Sequence, residues 1–349
     1  MTAKTNAGNF FEDFEVGQVL PHATPRTVSV GDVAVYTSLF PTRFALHSSD
    51  EMARQIGYER APIDDMLAFH IVFGKTVPDI SLNAVANLGY ADCKFLKPVF
   101  PGDTLSTSSK VIGLKENSNG KTGVVYVRST GINQHGTVVL EYVRWVMVRK
   151  GDVNAPAPEA DVPTLPKVVP VEQLHVPEGL DFSGLDPKMT GSTHMWGDYN
   201  VGEKINHIDG VTIEESEHMM ATRLYQNTAK VHFNQYTEGK GRFGRRLMYG
   251  GHVISMARAL SFNGLGNALL VAAINGGRHV APCFGGDTVF AWSEILDKAE
   301  LPGRSDLGAL RVRSFATKDL PCADHPGPLD AGYADGVVLD LDYWVLMPR

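Results

Sequence analysis

An internal repeat constrains the fold of this chain more than any other feature of its sequence. Residues of the first half recur in the second half at an offset of 185 positions. The matched pairs are Val16 and Val201, Gly17 and Gly202, His22 and His207, Thr27 and Thr212, and His47 and His232. The segment P-V-F-P-G-D-T at 98–104 likewise matches P-C-F-G-G-D-T at 282–288, at an offset of 184. The chain is therefore predicted to hold two copies of one domain.

The later part of the repeat indicates an insertion and a linker. Trp145 aligns with Trp344 at an offset of 199, which implies that the second half carries about fifteen additional residues. The Pro- and Gly-rich segment 322–335 is typical of a surface loop and accommodates them. Between the halves, the proline-rich stretch 152–187 is predicted to be an extended linker. The predicted domains are 1–151 and 188–349.

Each half shows the same order of secondary structure. The apolar runs M-L-A-F-H-I-V-F in the first half and V-I-S-M-A-R-A-L in the second predict one central helix per half. Strand patterns follow each helix, among them T-G-V-V-Y-V-R-S-T and V-F-A-W-S-E-I-L. Long antiparallel strands around one central helix make an α+β unit. The sequence therefore predicts two such units in tandem.

Composition narrows the class of partner and the cellular location. The 349 residues are 43% hydrophobic and carry a formal charge of -7, which argues against nucleic acid or an anionic membrane as partner. Cys93, Cys283 and Cys322 are widely spaced, so we expect neither disulfides nor a Cys-rich zinc site. No stretch approaches the length of a membrane span, and the start of the chain lacks the apolar core of a signal peptide. We expect a cytoplasmic protein without a metal or redox cofactor, for which homo-oligomer formation stays open.

The stretch 227–255 holds the candidate catalytic groups. Asn227 lies five residues before His232, and Gly250 opens the apolar helix eighteen residues after that histidine. A histidine titrates near neutral pH, and the N–H groups at the start of a helix can bind developing negative charge. These groups form a possible active site. The alternative is a hydrogen-bonded structural histidine with glycines that serve packing.

The motifs F-L-K-P-V-F-P-G-D-T-L and R-R-L-M-Y-G-G-H-V-I-S resemble those of the MaoC-like dehydratases, the hotdog-fold family that includes the R-specific enoyl-CoA hydratases. The resemblance covers both halves and leaves out only the linker. It implies a double hotdog fold, in which each half wraps an antiparallel sheet around its central helix. It also implies a hydro-lyase that reversibly adds water to an α,β-unsaturated acyl-CoA thioester. The implied acyl group is a methyl-branched C4 dicarboxylate.

The family's hydratase motif, G-D-x-N-P-x-H, is altered in both halves. Its histidine falls on His232 in the second half and on His47 in the first. Its aspartate is replaced by Asn227 and by Thr42. An amide can orient a water molecule, but unlike a carboxylate it cannot take and return a proton. The two-residue acid–base pair of the family is therefore absent from the sequence.

The family's glycine, whose N–H binds the thioester oxygen, falls on Gly250, with Tyr249 and Gly251 beside it as further substrate-binding candidates. In the first half the same position is Asp65, next to Asp64. A carboxylate at that position would oppose an oxyanion. The resemblance therefore implies one principal site, in the second half and at the interface between the halves.

The implied chemistry assigns a role to each group. His232 would activate water for attack at C3, Asn227 would orient that water, and the Gly250 N–H would stabilise the oxyanion by about 3 kcal/mol. The proton for C2 would return from His232 or come from Asp64 or Asp65 across the interface. Paired aspartates at a helix start can instead be simple caps.

The free carboxylate of a dicarboxylic substrate requires a cation. Arg43 and Arg278 are the candidates, because a guanidinium matches a carboxylate with two parallel N–H bonds. Either can instead be a solvated surface arginine. We expect His47 to pack or to line the acyl pocket rather than to act as a second base.

Three other functions stay open at this point: an R-specific enoyl-CoA hydratase for another acyl chain, an acyl-CoA thioesterase, and a non-catalytic acyl-CoA-binding protein. A thioesterase of this fold commonly uses Asp or Glu on the central helix, and neither apolar run holds one. The altered motifs of both halves permit the binding protein, which would hold CoA esters without turnover.

Overall fold

Two five-stranded halves join edge to edge in one ten-stranded antiparallel sheet. The computed structural model describes residues 4–349. The strands of the first half are β1 (Val19–Thr27), β2 (Ala84–Phe95), β3 (Thr104–Glu116), β4 (Thr122–Ile132) and β5 (Val138–Arg149). Those of the second half are β6 (Lys204–Thr212), β7 (Leu270–His279), β8 (Thr288–Glu300), β9 (Leu307–Lys318) and β10 (Val337–Pro348).

The strand order shows the duplication directly. It runs β1-β3-β4-β5-β2-β7-β10-β9-β8-β6, so the second half repeats the first in reverse about the β2–β7 junction. At this junction Tyr90 pairs with Gly277 and Cys93 with Ile274, in antiparallel register. A pseudo-twofold axis therefore relates the halves, which confirms the predicted repeat.

The helices follow the same repeat. Those of the first half are α1 (Val30–Leu39), α2 (Ala45–Ser48), α3 (Asp50–Gln55) and α4 (Asp65–Lys75). After α5 (Pro187–Thr190), the second half has α6 (Glu215–Leu224), α7 (Lys230–Phe233), α8 (Gln235–Glu238), α9 (Gly250–Leu260) and α10 (Phe262–Leu265). Short 3-10 turns lie at Phe11–Asp13, Val171–Gln173 and Trp196–Asp198, and a π-helical turn at Val77–Ser81.

The two central helices are the predicted apolar runs. Helix α4 is buried from Met66 to Lys75, and α9 is buried from Gly251 to Arg258. A helix that is apolar on most sides must be covered on most sides, and the curved sheet and the opposite half supply that cover. The predicted α+β class is confirmed.

The linker packs along the protein instead of standing free. Its backbone is fixed at Val169, whose N–H donates to Asn275 Oδ1 at 2.8 Å and whose carbonyl accepts from Trp344 Nε1 at 3.1 Å. Its buried side chains include Val169, Leu174, Leu180, Phe182 and Leu185. They join one apolar cluster with Leu46 of the first half and Leu346 of the second. The sequence predicted an extended linker but did not indicate this packing.

The inserted segment 322–335 lies between β9 and β10, as predicted. It is anchored by Cys322, which is buried with Phe315, and by Trp292, whose Nε1 donates to the Pro326 carbonyl at 2.8 Å. Cys93, Cys283 and Cys322 are free and buried. No helix in residues 4–349 combines the length and the apolar character that a bilayer crossing requires.

Candidate active site

His232, in α7, has one ring nitrogen engaged and one free. Its Nδ1 lies 2.9 Å from the Leu247 carbonyl oxygen. A carbonyl can only accept, so Nδ1 carries the ring proton. Nε2 has no hydrogen-bond partner within residues 4–349 and presents its lone pair. Burial lowers the pKa of His232 to about 4, which keeps the ring neutral at physiological pH. The ring can therefore accept a proton.

A carbonyl oxygen lies near each ring nitrogen of His47, the equivalent residue in the first half. Nε2 lies 3.0 Å from the Leu269 carbonyl oxygen, and Nδ1 lies 3.4 Å from that of Pro62. A neutral ring can donate through one nitrogen only, and the shorter contact favours Nε2. Asp65 Oδ2 lies 3.7 Å from the same nitrogen. His47 thus ties its loop to the second half.

The start of α9 presents free backbone donors. Tyr249 is the N-cap residue but gives no side-chain cap, and its own N–H donates to His218 Nε2 at 2.9 Å. The N–H groups of Gly250 and Gly251 have no acceptor in the part of the chain that the structure describes. The first N–H groups of a helix lack intrahelical partners and form the positive end of its dipole. An anionic oxygen can therefore bind there.

Asp64 and Asp65 are both engaged at the start of α4. Asp64 is the N-cap residue, and its Oδ1 accepts the Met66 N–H at 2.9 Å. Asp65 Oδ2 accepts the Val271 N–H at 2.8 Å, and burial raises the pKa of Asp65 to about 6. No hydrogen bond or ion pair within residues 4–349 joins either carboxylate to His232. The cap interpretation is confirmed for Asp64, and the structure gives neither residue a contact that supports proton transfer in the second half.

Asn227 is buried in the second-half loop. Its Oδ1 accepts the Ala229 N–H at 3.3 Å, and its Nδ2 has no acceptor in the described chain. The start of this loop packs closely against α4. A Cβ added at Gly74 would overlap the Tyr225 carbonyl oxygen. The equivalent residue of the first half, Thr42, is buried with its hydroxyl unpartnered. The Nδ2 of Asn227 is therefore available to donate a hydrogen bond.

His279, at the end of β7, is a site residue that the sequence reasoning missed. A Cβ added at Gly250 would overlap Nδ1, Cε1 and Nε2 of this ring, so the imidazole lies directly against the start of α9. Its Nε2 lies 3.2 Å from the hydroxyl of Tyr90, on β2 of the first half. Burial, reinforced by nearby His232, lowers the pKa of His279 to about 4. The sequence predicted a role for neighbouring Arg278, as a cation for the substrate carboxylate, and strand alternation alone does not tell which of these two neighbours faces the site.

His70, on α4, was also missed. Its Nδ1 lies 3.3 Å from the Tyr249 hydroxyl, and its Nε2 lies 3.0 Å from Ser255 Oγ. A Cβ added at Gly251 would overlap both His70 and the Tyr249 ring. The Tyr249 side chain is therefore turned into the core, where it holds the helix start, and Gly251 allows this close packing.

The two candidate arginines are placed away from the start of α9. Arg278 stands opposite Asp340 on β10, and Asp340 is bonded to Arg313 and Tyr333. Residues opposite each other share a sheet face, so exposed Arg278 lies on the other face from His279. Exposed Arg43 lines a cavity of about 370 Å³ along the second half of α9, beginning at Met256. Met256 is roughly 9 Å along the helix from Gly250.

Comparisons with known proteins agree with one another. The chain matches the family model described as mesaconyl-CoA hydratase over residues 2–323. It is 65% identical to a protein named beta-methylmalyl-CoA dehydratase from Chloroflexus aurantiacus, with 100% of this chain and 99% of that protein covered. It is 61% identical to one named mesaconyl-CoA hydratase from Cereibacter sphaeroides, with 99% and 100% covered.

Solved structures agree as well. A MaoC domain dehydratase from Chloroflexus aurantiacus matches with a TM-score of 0.97 at 65% identity, covering 100% of this chain and 99% of that one. A Mycobacterium tuberculosis protein with a double hotdog fold matches with a TM-score of 0.81 at 24% identity, covering 98% and 99%. These likenesses confirm the predicted double hotdog fold.

Proposed function

The chain belongs to the mesaconyl-CoA hydratase family, and we propose that it hydrates mesaconyl-C1-CoA (2-methylfumaryl-CoA) to β-methylmalyl-CoA at the second-half site. It is a hydro-lyase of the enoyl-CoA hydratase type. One observation carries the choice of site: His232 has a free Nε2, whereas both nitrogens of its equivalent, His47, face carbonyl oxygens.

Attack by water is the first step that we propose. His232 Nε2 takes a proton from the water as its oxygen bonds to C3 of the acyl group. The Nδ1–H bond to the Leu247 carbonyl supports the positive charge that the ring then gains. The free Nδ2 of Asn227 donates to the water oxygen and holds it in place. General base catalysis of this kind contributes on the order of 10² to 10⁴ in rate.

The electron pair of the C2–C3 double bond moves into the thioester, whose oxygen becomes negative. The Gly250 N–H, at the positive end of α9, stabilises this enolate oxygen in our proposal. One preorganised donor is worth about 3 kcal/mol. The first half cannot offer the same site, because the Asp64 carboxylate caps its helix and Asp65 replaces the glycine.

Collapse of the enolate requires a proton at C2. His232 Nε2–H returns the proton that it took from water, so the hydroxyl and the proton both come from the side of this ring. This balances the reaction without an external acid or a cofactor. The engagement of Asp64 and Asp65 at the start of α4 supports His232 over these carboxylates.

The alternative functions fit the site less well. Neither α4 nor α9 carries Asp or Glu after its first residue, which disfavours a thioesterase that relies on such a group. A binding protein would not need an imidazole with a free lone pair near unpaired helix donors, and the His232 ring centroid lies 5.5 Å from that of Tyr249, the N-cap residue of α9. As further proposals, we place the reaction in the ethylmalonyl-CoA pathway or a related carbon assimilation route, and the protein in the cytoplasm.

Hydration of mesaconyl-C1-CoA tests the proposal. Loss of enoyl absorbance and the gain of one water by mass are followed for the wild type, His232→Ala and His47→Ala. We expect wild-type turnover, its loss by on the order of 10² or more in His232→Ala, and its retention in His47→Ala. Loss only in His47→Ala would invert the assignment, and tight binding by the wild type without turnover would favour the binding protein. Release of free CoA thiol would indicate a thioesterase.

A further inference from the structure

We propose that His279 is a second catalytic residue of this site, which donates its Nδ1–H to the thioester oxygen beside the Gly250 N–H. Tyr90, from the first half, is the positioning residue that sets the tautomer of His279. The inference rests on the proposed function, since it adds a donor to the same oxyanion.

The placement of His279 supports this role. Its Nδ1–Cε1–Nε2 edge occupies the space next to Gly250 that a side chain would fill at that position. Glycine therefore lets the imidazole stand beside the first free N–H of α9. Two donors around one oxygen are the usual construction of an oxyanion hole.

The tautomer follows from the partner of the ring. Burial raises the pKa of Tyr90, so its phenol keeps its proton. That buried O–H needs an acceptor, and His279 Nε2 lies 3.2 Å away. If Nε2 accepts, the ring proton must sit on Nδ1. Nδ1 has no acceptor in residues 4–349, so its N–H is available to a ligand.

The ring is neutral at physiological pH, because burial lowers the pKa of His279 to about 4. A neutral imidazole donates a hydrogen bond without requiring a buried counterion in the empty site. Because His279 is neutral, it places no positive charge next to His232. His232 can therefore act as the general base while His279 acts as a hydrogen-bond donor.

The first half lacks this donor pair. His279 stands opposite Leu339 in β10, and the equivalent Leu140 in β5 stands opposite Phe95. Phe95 thus replaces the imidazole, just as Asp65 replaces the glycine. Phe95 and Asp65 line a small cavity that is also lined by His175 and Pro177 of the linker. The halves differ at each position that the proposal uses.

The role of His279 is tested by comparing His279→Asn with His279→Leu. The Asn amide nitrogen stands where Nδ1 stood, whereas Leu fills similar space without a donor. We expect Leu to lower kcat on the order of 10² to 10³, Asn to lower it by less than about tenfold, and KM to change little in both.

A spectroscopic measurement separates donation from structural support. The infrared carbonyl stretch of a bound saturated acyl-CoA thioester, which cannot be hydrated, reports the donors on that oxygen. We expect a shift to lower frequency in the wild type and in His279→Asn, and a smaller shift in His279→Leu. Circular dichroism and thermal melting test whether each variant is folded.

Tyr90→Phe, with Tyr142→Phe as its matched control, tests the positioning role. Both tyrosines are buried against Phe69, but only Tyr90 bonds to His279. We expect Tyr90→Phe to lower kcat by on the order of tenfold and to weaken the carbonyl shift, and Tyr142→Phe to change neither.

An unchanged kcat and carbonyl shift in His279→Leu would overturn the proposal. Equal loss of kcat in Asn and Leu with an unchanged carbonyl shift would overturn it too, since the ring would then act elsewhere. If the wild type fails to hydrate mesaconyl-C1-CoA, the proposed function fails, while the carbonyl shift still decides whether His279 donates.

Discussion

His70 on α4 and Ser255 on α9 are equivalent residues of the repeat, and their side chains contact each other at 3.0 Å. A residue that touches its own equivalent lies at the pseudo-twofold axis, so the axis passes between the two central helices here. The contact is asymmetric, because His70 has a second nitrogen that reaches the Tyr249 hydroxyl at the start of α9. Serine is too short to do the same for α4. The two halves therefore differ in side chain and in contacts even at the pseudo-twofold axis.

The activity should be independent of pH across the neutral range. Burial lowers the pKa of His232 to about 4, so the base stays unprotonated until the pH approaches that value. We expect kcat/KM for hydration to be flat from about pH 8 to 6 and to fall as the pH decreases toward 4, because protonated His232 cannot accept a proton. A fall centred near 6.5, the ordinary histidine value, would contradict the buried geometry.

Asp64→Asn should preserve both activity and stability. Asparagine caps a helix about as well as aspartate, so the bond to the Met66 N–H is kept while the acid is lost. Asp64→Ala should instead lower the free energy of unfolding by about 1 kcal/mol. Denaturant unfolding and turnover of the two variants are compared. Loss of turnover in Asp64→Asn would show that this carboxyl group takes part in proton transfer.

His252→Leu should make the protein less sensitive to acid. His252 is fully buried in α9 with both ring nitrogens unpartnered, and the equivalent residue of the first half is Leu67. Burial lowers the pKa of His252 to about 3. Below about pH 6.5 the unfolded chain therefore binds a proton there that the folded chain does not.

The direction of this effect follows from the proton count. As the pH falls from about 6.5 toward 3, the free energy of unfolding decreases by up to about 1.4 kcal/mol per pH unit for each such histidine. We expect the melting temperature of His252→Leu to fall less between pH 7.5 and 5 than that of the wild type. His135→Leu, at an exposed position, is the control and should leave the slope unchanged.

Truncation in the linker should destabilise the whole protein. Phe182 is only 3% exposed and packs in the cluster that joins both halves, whereas Val162 is 49% exposed. We expect Phe182→Ala to lower the free energy of unfolding by about 3 to 5 kcal/mol, and Val162→Ala to change it by less than about 0.5 kcal/mol. Urea unfolding followed by circular dichroism measures both. If the two variants unfolded at the same urea concentration, the linker would contribute nothing to the stability of the protein.

The sequence by itself determined the repeat, the two central helices and the α+β class, and it indicated the stretch that holds the proposed site. These features are local or periodic: matched motifs keep a constant spacing, and the buried runs such as 250–260 keep helical periodicity. The position of Asn227, His232 and Gly250 in one loop and the helix that follows could also be inferred, because few residues separate them.

Only the tertiary structure distinguished the contacts of the two halves at the candidate site. His232 meets one carbonyl oxygen and keeps Nε2 free, whereas a carbonyl oxygen faces each ring nitrogen of His47, and the sequence pattern does not display these contacts. His279 and Tyr90 are brought together by the pairing of β2 with β7, although 189 residues separate them in sequence. Strand alternation leaves open which face of β7 meets α9, and the pairing places His279 there and Arg278 opposite. Contacts between residues far apart in sequence depend on strand register and side-chain packing, which local sequence patterns do not specify.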